Sequence, residues 1–233
     1  HFVGDRNAKT VFVQLNPGKN VKMADEDFKK VTADYDRTNA ASFIKSYINE
    51  KTNFGNIDAK RKDRFDEKQA AFLKHFEDSG IDIPASFPEE KTEPLCLQAK
   101  ENVLMQKCQL ELLPYCSQSF YVSKQKANAL IPYVETLLDE IFRVKRKYVI
   151  FGSAIFADLF KKMQSENIKV EFLKEDEIQP VKNPLKAHLV KITKDGKSVN
   201  AVIARSFPRQ DIGRAYNIMA EYGKLCFELL KIN

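Results

Sequence analysis

Four polar segments stand directly behind four short apolar runs, and they hold most of the residues that could do chemistry. They are Asn16-Pro17-Gly18-Lys19-Asn20, Pro114-Tyr115-Cys116-Ser117, Gly152-Ser153 and Arg205-Ser206-Phe207-Pro208-Arg209-Gln210. In an open α/β sheet the ligand site forms at the carboxyl ends of the strands, so such segments are its natural components. Pro and Gly also make ordinary turns, and Asn-Pro-Gly alone is open to either reading. Arg205, Arg209 and Arg214 bracket the last segment, where guanidinium groups suit contacts to phosphates. Lys19, Lys22, Lys29 and Lys30 follow the first segment and read equally well as a solvated charged face.

The elements that must position these segments are four strands and several amphipathic helices. The apolar runs are Thr10–Leu15, Cys108–Leu113, Lys147–Phe151 and Val199–Ala204, each closed by Pro or Gly. Residues Ala127 to Phe142 carry an apolar stripe at helical spacing, with Pro132 expected in the first turn. Ser153–Met163, Asp211–Ile232 and Asp63–Ser79 also read as helices, the last stopped by Gly80. Helices between the strands predict crossovers and a mainly parallel sheet. Asp195-Gly196 between two alternating runs predicts a hairpin that gives the fourth strand an antiparallel neighbour. Residues 21–99 read as a mostly helical insertion attached to one 1–233 domain, shaping or covering a site.

Composition narrows the function classes. Of 233 residues, 43% are hydrophobic and 30% charged, which fits a globular protein rather than a disordered or fibrous one. The net charge of +6 permits a polyanionic partner without requiring one. Four cysteines and three histidines occur without Cys-x-x-Cys spacing, so neither a metal site nor an iron–sulfur cluster is expected. No apolar run reaches the ~18 residues of a membrane span, and the polar start predicts no secretion signal. A cytoplasmic monomer is the resulting expectation. No Gly-x-Ser-x-Gly elbow is present, and Gly152-Ser153 has no catalytic partner nearby in sequence.

The four elements, taken in order, resemble the uracil-DNA glycosylase superfamily. Val11-Phe12-Val13-Gln14-Leu15-Asn16-Pro17-Gly18 is similar to its first motif, closest to the mismatch-specific and single-strand-selective branches. A strand with a Pro-containing loop (Leu110 to Ser117) follows. Then comes a strand entering Gly152-Ser153-Ala154, and last a strand leading to Pro208 and a closing helix. The resemblance covers the core strands and their loops, not the insertion. It implies a three-layer α/β fold with a short, mainly parallel sheet. The implied activity is hydrolysis of the bond between deoxyribose and a modified or mismatched base flipped from DNA. It implies no cofactor and a DNA partner, single- or double-stranded.

The resemblance also implies roles for residues. Asn16 takes the water-positioning place, and because an amide is a poor base, activity would lean on stabilising the departing base. Gly18 would allow close backbone approach to the nucleotide. Gln14, Pro17, Gly18, Glu111, Ser206 and Phe207 make the implied base-binding set, with Ser153, Arg209 and Arg214 on the DNA backbone. The family's final loop often carries a His that donates to the leaving base. One register places Phe207 there and another places Arg205, which is then the second catalytic candidate. Glu111 stands where the family holds a base-reading Asn. An ionised Glu only accepts hydrogen bonds, which predicts a donor-rich base rather than uracil. A rival reading keeps the fold and drops the chemistry, leaving a diverged nucleic-acid- or nucleotide-binding protein.

Overall fold

A computed structural model describes residues 2–15, 65–84, 93–112, 127–163, 166–179, 184–205 and 216–232. Seven strands form one sheet: β1 (Phe2–Gly4), β2 (Thr10–Gln14), β3 (Cys108–Glu111), β4 (Tyr148–Phe151), β5 (Ile168–Ile178), β6 (Leu185–Lys194) and β7 (Lys197–Ile203). Their spatial order is β1-β3-β2-β4-β7-β6-β5. Five α-helices accompany them among the described residues: α1 (Phe65–Leu73), α2 (Glu93–Gln106), α3 (Ile131–Phe142), α4 (Ile155–Lys162) and α5 (Tyr216–Leu230).

The centre of the sheet is parallel because its connections are long and helical. β3, β2, β4 and β7 run side by side in one direction. All five residues of β2 and all four of β4 are buried, as expected of strands covered on both faces. On the first face lie α1, α2 and α5, packed over Phe12, Tyr148, Ile150, Leu189 and Val202. On the second lie α3 and α4, packed over Val11, Val13, Leu110, Val149, Phe151 and Ile203. The result is a three-layer α/β/α arrangement, with strand alternation deciding which side chains meet which helices. Phe151 anchors α4, its ring centroid standing 4.9 Å from Phe156 and 5.0 Å from Phe160.

Outside that centre the sheet is antiparallel, so it is mixed rather than mainly parallel. β1 runs against β3, β6 against β7 and β5 against β6. The hairpin at Asp195-Gly196 forms as expected, both residues adopting positive φ (50° and 78°). That geometry matches the twist of the flanking strands and suits Asp-Gly. β5 was not legible as a strand because ten of its eleven residues, from Lys169 through Ile178, are intermediate or exposed, with repeated charges among them.

One helix is shorter than its periodicity predicts. α1 ends at Leu73, and residues 74–80 turn back to the sheet, with Asp78 and Gly80 at positive φ. Tertiary bonds hold that turn. Thr10 Oγ1 donates to the Ser79 carbonyl (2.6 Å), and Tyr148 Oη donates to the Glu77 carbonyl (2.6 Å). Lys9 and Lys147 both reach Asp78. Local helix preference is weak enough for such contacts to override it. Within 21–99 the described residues hold α1 and the start of α2, while residues 21–64 and 85–92 lie outside the described residues.

Candidate functional site

The carboxyl ends of the four parallel strands stand level. Gln14 pairs in register with Glu111, Val13 with Phe151, and Phe151 with Ile203. Backbone bonds continue past the strands: Leu112 N–H donates to the Gln14 carbonyl (2.8 Å), Gly152 N–H to Val13 (2.8 Å), and Ala204 N–H to Phe151 (2.8 Å). The connection from β2 to β3 carries α1 and α2 over the first face. The connection from β3 to β4 carries α3 over the second. The chain therefore leaves β2 in one direction and returns on its other side. That reversal makes the β2/β4 edge the switch point where open sheets leave a ligand crevice.

Gln14 closes β2 at this point. Alternation from Phe12 turns it to the first face, where it is 7% exposed and its Nε2 has no hydrogen-bond partner among the described residues. Its amide crosses Gly152: a Cβ on that glycine would lie 2.5 Å from Nε2. A side chain at 152 and the present Gln14 conformation exclude each other.

Glu111 stands beside Gln14 on the neighbouring strand and the same face. It is 6% exposed, so its carboxylate is not turned to solvent. Oε1 accepts from Gln109 Nε2 (2.7 Å), whereas Oε2 has no partner among the described residues. Burial pushes the carboxyl up to about 7, partly opposed by the Gln109 bond and the Lys107 charge. Three buried side-chain atoms lack partners among the described residues, and two of them belong to this adjacent pair. The third, Arg146 Nε, lies at the opposite, amino end of the parallel strands, just before β4. There its terminal nitrogens bond the Ala8 and Arg6 carbonyls (2.6 and 2.8 Å), an evident structural role.

A chain of buried polar groups stands behind Glu111. Lys107 Nζ pairs with Asp66 of α1 (2.7 Å) and donates to Gln69 Oε1. Gln69 Nε2 reaches Gln109 Oε1 (3.4 Å), and Gln109 passes its donor to Glu111. These supporting residues were missed in the sequence. Their signal was the alternation Lys107, Gln109, Glu111, which puts three polar groups on one face of an otherwise apolar strand.

Other expected site residues are placed as follows. Ser153 is buried and its Oγ accepts from Ile155 N–H (3.4 Å), so the hydroxyl expected on the DNA backbone serves the start of α4. Arg205 is partly exposed just past β7, and its backbone N–H donates to Tyr222 Oη (2.7 Å). Tyr222 in turn donates to the Lys186 carbonyl (2.5 Å), tying that strand end to α5. Asn16, Pro17, Gly18, Ser206, Phe207, Arg209 and Arg214 lie outside the described residues, as do Lys19, Lys22, Lys29 and Lys30. No group of three metal-ligating side chains occurs among the described residues, and no helix among them is long and apolar enough to cross a membrane.

No protein-family model matches the chain, and neither does any curated protein or solved structure.

Proposed function

We propose that the chain is a hydrolase of the N-glycosidic bond, acting on a modified or mismatched base in DNA. The observation that carries this reading is the Gln14–Glu111 pair: two buried polar side chains, adjacent in register at the carboxyl ends of β2 and β3 beside the switch point, each with an unsatisfied atom. A buried polar atom without a partner costs on the order of 1–3 kcal/mol, so a native protein retains it where something else supplies the partner. A planar heterocycle offers that partner. Gln14 Nε2 would donate to a ring acceptor, and ionised Glu111 Oε2 would accept from a ring or exocyclic N–H.

Asn16 follows Gln14 after one residue, which keeps an amide within chain reach of the bond to be broken. In this reading it holds the water. The departing base leaves as an anion, and Arg205, next to the last strand, supplies positive charge for it. Arg209 and Arg214 contact phosphates. Extrusion of the base is required because neither the base edge nor the glycosidic bond is accessible to such a crevice inside a duplex.

The deciding experiment incubates the protein with oligonucleotides carrying single modified bases and cleaves the abasic sites produced. Release of at least one base, with none from unmodified DNA, is the expected result. Tight binding of the same oligonucleotides without any release would support the diverged binding protein instead. Neither release nor binding on any substrate would overturn both.

A further inference from the structure

We propose that Lys107, Gln69 and Gln109 are positioning residues, a one-way hydrogen-bond relay that grips Glu111 Oε1 from behind and leaves Oε2 facing the ligand. This rests on the reading that Glu111 meets the base, and it extends that reading into helix α1.

The direction of the relay follows from donor and acceptor inventory. A lysine ammonium only donates, so Gln69 must turn Oε1 toward Lys107. Its Nε2 is then the end available to Gln109, which must meet it with Oε1. Gln109 is left with Nε2 toward Glu111, where a carboxylate accepts. Each amide orientation is thus dictated by its predecessor. Asp66 fixes the first member, its carboxylate 2.7 Å from Lys107 Nζ, with both side chains buried. The Phe65 ring lies 5.6 Å from the same ammonium.

The charged groups around Glu111 come from few elements. Lys107 precedes its own strand, and Asp66 from α1 neutralises Lys107 directly. Glu67, also on α1, is hydrogen-bonded to Tyr216 of α5. β2 contributes Thr10 and Gln14 on this face, neither of them charged. Burial is the largest influence on Glu111, and it is opposed by the donor of Gln109, by the charge of Lys107, itself paired with Asp66, and by the amino-terminal charge. Losing the relay removes a bond that favours the ionised carboxylate, and it frees the side chain to rotate.

The test follows the Glu111 carboxyl by carbon-detected NMR titration of the ligand-free protein, in wild type and Gln109→Met. The Met side chain keeps the volume and cannot donate. The midpoint should rise by roughly one pH unit, and affinity for an abasic-resistant oligonucleotide carrying the preferred base should fall about tenfold. Gln69→Met, two bonds away, should move the midpoint in the same direction by less and serves if Gln109→Met does not fold. An unchanged midpoint in a folded variant overturns the relay. Binding that is indifferent to Glu111→Gln, with the midpoint still moving in Gln109→Met, would leave the relay standing and remove the base-reading role.

Discussion

The Gln14 amide occupies the space that a side chain at Gly152 would need, with a Cβ there only 2.5 Å from Nε2 and 2.6 Å from Oε1. The clash is with the far end of a flexible side chain, not with backbone. Gly152→Ala should therefore fold, losing no more than about 1 kcal/mol, because Gln14 can rotate away. The cost falls on the site, where the donor of Gln14 is displaced. Thermal unfolding should show a small change in Tm while oligonucleotide affinity drops severalfold. A variant that unfolds, or one that binds like wild type, would contradict this account of the glycine.

Burial of Glu111 predicts a pH dependence of stability with a definite sign. Its carboxyl titrates near 4.5 when unfolded and is pushed up to about 7 in the fold. Between those values the folded state binds more protons than the unfolded one, so stability falls as pH rises through the window. The wild type should be more stable relative to Glu111→Gln at pH 4 than at pH 8, by on the order of 3 kcal/mol at most. Urea unfolding of both proteins at the two pH values measures the difference. Equal offsets at both would mean that Glu111 is not held in a desolvated place.

The Lys107–Asp66 pair gives a third test. Both side chains are nearly inaccessible, 1% and 8% exposed. Removing one partner from such a pair strands a charge and costs about 3–5 kcal/mol, whereas replacing both with apolar groups of similar volume is often neutral. Asp66→Ala should be strongly destabilised, and Asp66→Leu combined with Lys107→Met should recover most of the loss. The recovered protein is then folded with its relay severed at the source. If the double variant is no better than the single one, the pair contributes through something other than stranded charge.

Much of this arrangement was legible in the residues, and the reasons for the remainder are physical. Val11, Phe12 and Val13, or Tyr148 to Phe151, are continuous apolar runs that only a doubly covered strand explains. Asp195-Gly196 announced its hairpin through the backbone conformation those residues tolerate. β5 escaped notice because an edge strand with exposed charges lacks an apolar signature. The end of α1 at Leu73 was set by Thr10 and Tyr148, residues far away in sequence, and no local pattern carries that. Glu111 was singled out by the resemblance, because it stands where that family holds a base-reading Asn. Gln69, by contrast, enters the site from a helix whose spacing reads only as amphipathic.

Charge near the last strand predicts a salt-dependent affinity for DNA. Arg205 is partly exposed and lies directly after β7, with Arg209 following in the same segment. Each phosphate neutralised adds roughly 0.7–0.9 to the slope of log affinity against log salt. Arg209→Ala and Arg214→Ala should each lower affinity for single- and double-stranded DNA and flatten that slope by close to one contact. Filter binding at several salt concentrations gives both quantities. Loss of affinity with an unchanged slope would move the arginine from phosphate contact to a role at the base.

The base preferred by the site should follow from Glu111 itself. Its Oε1 is already taken by Gln109, so a ligand meets Oε2 alone. Its carboxyl is pushed up to about 7, so above that pH it is mostly ionised and can only accept. Uracil turns one N–H and two carbonyl oxygens toward such a reader, and an oxygen set against a carboxylate is repelled in a desolvated place. A base with an amino group beside a ring N–H offers donors throughout. Wild-type protein should therefore release uracil slowly or not at all and favour the donor-rich base. In Glu111→Asn the amide supplies a donor as well as an acceptor, so preference should shift toward uracil, by about tenfold or more for one charged hydrogen bond exchanged. Competition between the two substrates in one reaction measures the ratio directly. Efficient uracil release by wild type, unaltered in Glu111→Asn, would show that this carboxylate does not face the base.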